Sequence, residues 1–117
     1  MIGRLKNIIL SKYPDMDILV GYRTPSEIPA RSQSGCVIAL IKSDFKIANT
    51  SINEEAQVQV AYYEATTYDS IDEFKQRAEE LFFYITLSSE YVLKSIEYAY
   101  NDMFLFALAT FSVFRKV

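Results

Sequence analysis

Apolar positions along this chain switch between helical and strand spacing, and the switches outline the elements. Ile2, Leu5, Ile8 and Ile9 recur at helical spacing ahead of Pro14, predicting a short amphipathic helix over residues 2–12 that stops at Tyr13-Pro14-Asp15. The stretch MDILVGY, from Met16 to Tyr22, reads as a short strand. A polar connection from Arg23 to Gly35 follows, punctuated by Pro25, Pro29 and Gly35. Cys36 to Ile41 (CVIALI) is a strand. Further on, Val58, Val60 and Tyr62 alternate with Gln57, Gln59 and Ala61, the pattern of a half-buried strand. The two strands suit a hairpin. Its far end, KSDFKIANTSINEE, is polar apart from Phe45, Ile47 and Ile52, and is either an ordinary hairpin end or a projecting arm.

Ser70 and Glu73 have the spacing of a capping box, in which a hydroxyl and a carboxylate satisfy the open backbone donors at a helix start. The helix predicted from Ile71 to Ile85 puts Ile71, Phe74, Ala78, Leu81, Phe82 and Ile85 on one face. Tyr91 to Tyr100 fits a helical stripe or a strand, and the strand is favoured because a turn at Asn101-Asp102 and a terminal strand follow naturally. The terminal stretch from Met103 is too short for the roughly 20 apolar residues of a spanning helix. Its Phe, Thr and Val residues suit a long strand to about Arg115, apolar on both faces. Another element of the chain or a neighbouring subunit must cover the second face. The whole predicts an α+β fold in a single domain over residues 1–117. A mixed or antiparallel sheet is packed by one main helix, about 71–85, and a short N-terminal helix.

Composition narrows the functional classes. The 117 residues carry a formal net charge of −3 with no basic block, so the footprint of a sequence-specific nucleic-acid binder is missing. Nine Tyr and eight Phe point to an aromatic core with Tyr at its rim. Cys36 is the single cysteine, which excludes an internal disulfide and reads as a small buried hydrophobe. The amino-terminal stretch lacks the uninterrupted apolar region and cleavage site of a secretion signal.

Histidine is absent, which removes histidine acid-base catalysis and histidine-activated nucleophiles. No glycine-rich phosphate loop and no Cys/His zinc ligand set are present. The remaining candidates are adjacent or near-adjacent acids, Asp15 with Asp17, Glu54 with Glu55 and Glu79 with Glu80. They read first as solvated faces, as do Lys75 and Arg77. Neither catalytic residues nor a cofactor are expected, and surface contact is the favoured use of this chain.

The order of elements, with IGRLKNIILSKYP, CVIALI, VQVAYYEAT, SIDEFKQRAEELFFYI and FALATFSVFRKV in succession, resembles that of the tail terminator or tail completion proteins of long-tailed bacteriophages and related prophage particles. The resemblance spans nearly the whole chain. It implies a homo-hexameric ring that caps the tail tube, ends its growth and offers a docking surface to the head connector or another neck protein. The partners would be further copies of itself, the tail tube protein and the neck, with no membrane. The location would be the tail-neck junction of the virion, and the host cytoplasm during assembly. On that reading the Arg23–Gly35 loop and the Asp44–Glu55 arm carry contacts, with Arg23, Arg31, Lys46, Glu54 and Glu55 as interface candidates. The rival readings are another neck component, a small ligand-binding regulatory domain with an aromatic pocket, and a carboxylate-metal hydrolase.

Overall fold

The computed structural model describes residues 2–21, 27–28, 32–48, 51–66 and 68–116, with the backbone alone described at 44–48, 51–54, 68, 115 and 116. Helix α1 (Ile2–Lys12) is followed by strands β1 (Asp17–Val20), β2 (Ser34–Ala48) and β3 (Ser51–Glu64). Then come a 3-10 turn (Tyr68–Ser70), helix α2 (Ile71–Thr86) and strands β4 (Tyr91–Tyr100) and β5 (Leu105–Lys116). This is the expected α+β fold, and Tyr91–Tyr100 is a strand. The strand predicted over Met16–Tyr22 is shorter than its apolar run, because Gly21 turns the chain with φ +99°, a conformation that glycine adopts without a Cβ penalty. Tyr22 lies outside the described residues.

The five strands form one mixed sheet in the order β1-β2-β3-β5-β4. Only β1 and β2 are parallel, from Asp17↔Gly35 to Val20↔Ile38, and every other ladder is antiparallel. Gly35 is needed at this junction, because a Cβ there would stand 2.5 Å from the Asp17 carbonyl oxygen and 2.7 Å from the Tyr63 hydroxyl.

Alternation decides the two faces. Cys36, Ile38, Val58, Val60, Ala107, Ala109 and Phe111 belong to one buried cluster with Leu5 and Ile9 of α1 and Phe74, Ala78, Leu81, Phe82 and Ile85 of α2. Both helices therefore lie on the same side. The small Ala107 and Ala109, fully buried, let α2 approach β5 closely, and the Phe82 ring meets Phe111 edge-on with centroids 6.2 Å apart. On the opposite side a second cluster of Ile28, Tyr63 and Phe104, with Leu19, Val37 and Phe106 against it, covers one end of the sheet. At that end the second apolar face of the terminal strand is thus covered from within the chain.

The hairpin does extend as an arm, but β5 shares it, pairing with β3 out to Asn53↔Lys116, so that only Ile47↔Ile52 and Ala48↔Ser51 are two-stranded. Pairing of β1 with β2 ends at Val20↔Ile38, whereas β2 and β3 remain paired out to Ala48↔Ser51, with one extra residue at Ile41. The Cα trace accordingly spans 54 × 25 × 25 Å. One local expectation is overturned. Ser70 precedes α2 with φ −101° and ψ 20° and makes no side-chain capping bond. The 3-10 turn already holds its backbone near helical values, away from the extended geometry that aims a cap hydroxyl back at the helix.

Candidate functional site

The described residues line an open pocket of about 520 Å³ between the turn that follows α1 and one face of α2. Pro14 closes α1 because a proline cannot continue the helical ladder, and the chain turns back through a Met16 N–H to Tyr13 carbonyl bond of 3.1 Å. That turn supplies Tyr13, Pro14, Asp15 and Met16 as one wall. Arg77, Glu80 and Leu81, at helical spacing on α2, supply the other. Lys12 spans them. Its Nζ lies 3.2 Å from Glu80 Oε1 and 5.0 Å from the centroid of the Tyr84 ring, while Tyr84 shares a 2.7 Å hydrogen bond with Ser11.

Polar chemistry concentrates at the pocket's inner side. Glu64 ends β3 on the same alternating phase as Val58, Val60 and Tyr62, so its carboxylate enters the space beneath α2. Arg77 grips it with Nε and Nη2, each 2.6 Å from a different carboxylate oxygen, and the Tyr62 hydroxyl donates a further bond. Burial, and then the Glu64 carboxylate, push the Tyr62 hydroxyl well above its ordinary range. The Arg77 guanidinium is likewise raised by its hydrogen bond to Glu64. Arg77 is thus part of a structural network, contrary to the expectation of a solvated charge. Tyr62 also stacks on Phe74, with centroids 5.7 Å apart.

A second network lies on the other face. Ser32, 3% exposed, donates to Asp17 Oδ2 at 2.9 Å, which leaves the Tyr63 hydroxyl to donate to Ser32 at 2.8 Å. Among the described residues no buried side-chain nitrogen or oxygen lacks a hydrogen-bond partner, and no three His, Cys, Asp or Glu side chains converge. The Cys36 thiol is pushed up to about 12 by burial, so it stays protonated near neutrality. These groups can hold a polar ligand or one another, but none is poised as a nucleophile.

The interface candidates scatter. Arg23 and Arg31 lie outside the described residues. Lys46 and Glu54 are in the arm, where the register sets Lys46 opposite Asn53 and Glu54 opposite Phe45 and Arg115. Their side chains are outside those described. Glu55 is half-buried and sits between Asp44 and Phe114. Among the described acids of the adjacent pairs, three bind separate partners. Asp17 is engaged by Ser32, Glu79 accepts a 3.1 Å bond from Tyr98 and Glu80 binds Lys12, each a separate contact.

Glu64 was missed by the sequence reading, although its phase gave a usable signal, since a carboxylate on the buried side of an alternating strand demands a cation. No protein-family model matches the chain, and no curated protein matches it in sequence. Among the described residues no helix is long and apolar enough to cross a membrane.

Proposed function

We propose that this chain is a structural protein of a phage or prophage tail. It caps the tail tube as a ring of identical subunits, ends tube growth and presents the surface on which the head docks. The observation that carries this reading is the arm: β2 and β3 stay paired out to Ala48↔Ser51, well past the end of β1, with β5 beside β3 as far as Asn53↔Lys116. The use of such an extension is reach toward a neighbour. The resemblance implies a mixed sheet flanked by helices, and the five-stranded mixed sheet with two helices is of that class. The reading is non-enzymatic and needs no cofactor, and it depends on no catalytic residue.

The test is assembly. Purified protein followed by light scattering over rising concentration should gain mass to a closed ring. Added to growing tail tubes, it should stop elongation at stoichiometric ring amounts. A chain that stays monomeric and leaves tube length unchanged would overturn the proposal. The pocket beside Lys12, Tyr62 and Arg77 favours a second reading, a small ligand-binding domain, for which a saturable ligand-dependent rise in melting temperature is the signature.

A further inference from the structure

The outermost strands of the sheet are β1 on one side and β4 on the other. Their polarities can be followed across the ladders. β1 runs with β2, and the three antiparallel steps from β2 through β3 and β5 to β4 leave β4 running opposite to β1. Their heights follow from the register. Asp17, Gly35, Tyr63, Phe106 and Ala99 occupy one row across the sheet, and Val20, Ile38, Val60, Ala109 and Ile96 occupy another. Asp17–Val20 and Ile96–Ala99 thus stand level on opposite sides of the molecule, antiparallel, with residues of each row on the same face.

From this juxtaposition we infer that a second copy of the chain lays its β1 along the outer side of β4, so that one antiparallel ladder continues from subunit to subunit. The inference rests on the ring reading and names its interface. Strand length selects the occupant. The register of β4 shifts between Leu93 and Ser95, which places Lys94 at a bulge, and a bulge with a lysine obstructs a long incoming strand. Past it the ladder is regular from Ser95 to Tyr100, room enough for the four residues of β1. With no shift along the axis, Ile18 comes opposite Tyr98, Leu19 opposite Glu97 and Asp17 opposite Ala99, so no like charges face each other. The contact is head-to-tail, and repeated by rotation about an axis along the strands it closes into a ring. Closure curves the sheet with its thicker helical layer outward. The inner wall then carries Gln57, Gln59 and Thr110 together with the carboxylates of Glu55 and Glu97.

Cross-linking tests the pairing directly. Leu19→Cys and Glu97→Cys place thiols directly opposite in one row and on the same face of the continued sheet, while Cys36 is buried and protonated and does not compete. A short bismaleimide should convert the assembled double variant into a ladder of covalent oligomers up to the ring number. Each single variant should remain uncoupled, and efficient dimers from Glu97→Cys alone would show two-fold pairing and overturn the inference. Hydrogen exchange on the unmodified protein guards against a variant that does not fold. Assembly should slow exchange at amides of both 17–20 and 96–99 by at least about tenfold. A protein that assembles with no ladder and no protection there overturns this interface and leaves the ring standing. One that neither assembles nor binds tail tube overturns both.

Discussion

Glu64 shows how one misplaced charge becomes a structural requirement. Its side chain is only 10% exposed, so removing Arg77 would strand a carboxylate in the core. Arg77→Ala should cost about 1–3 kcal/mol in urea denaturation, below the full cost of breaking a buried pair because the guanidinium is half-exposed and water screens it. Glu64→Gln together with Arg77→Ala should recover part of that loss. Cys36 makes a second prediction, concerning alkaline pH. Its thiol ionises near 9.0 when unfolded and at about 12 in the fold. Between those values the folded chain keeps a proton that the unfolded chain releases. Stability is therefore complete below about pH 9 and falls as pH rises, by up to about 1.4 kcal/mol per pH unit for this group. Tyr62, raised from 10.0 by burial and then by Glu64, steepens the fall from about pH 10. Cys36→Ala should move the onset from about pH 9 to about pH 10 in urea midpoints measured against pH.

At the level of elements, α2 is the keystone of the core. Phe82 is fully buried against Phe111, while Phe83, one residue on, is 54% exposed. Phe82→Ala should destabilise by about 3–5 kcal/mol and Phe83→Ala by less than about 0.5 kcal/mol in the same denaturation assay. A smaller contrast would mean that α2 is rotated on the sheet. The face of this helix was legible because its apolar residues recur at a period that nothing else in the segment imitates. The ambiguity of Tyr91–Tyr100 had an equally physical origin. β4 lies at the rim of the sheet, most of its residues are exposed, and the bulge at Lys94 resets the alternation halfway along. A strand with half a buried face and a broken period looks much like a weak helix.

For the whole molecule the decisive feature is the length of the β2–β3 ladder. Replacing residues 45–54 with an Asn-Gly turn between Asp44 and Glu55 should leave a folded protein within about 1 kcal/mol of the parent, because hairpin ends tolerate shortening and the helix-packed core lies behind them. Assembly measured by light scattering should be lost. A shortened chain that still forms rings and still caps tubes would remove the arm from the interface.

Local chemistry along the chain determined both helices, the alternating strand through Tyr62 and the burial of Cys36, since each depends on residues adjacent in sequence or one turn apart. Only the tertiary structure decided that both helices share one side of the sheet. It also brought Arg77 of α2 onto Glu64 of β3, and placed β1 and β4 level and antiparallel at opposite edges. Those relations depend on how helix α2 lies across the sheet and on the order in which strands pair. Periodicity carries neither, because it records which face of an element is apolar and not what that face meets.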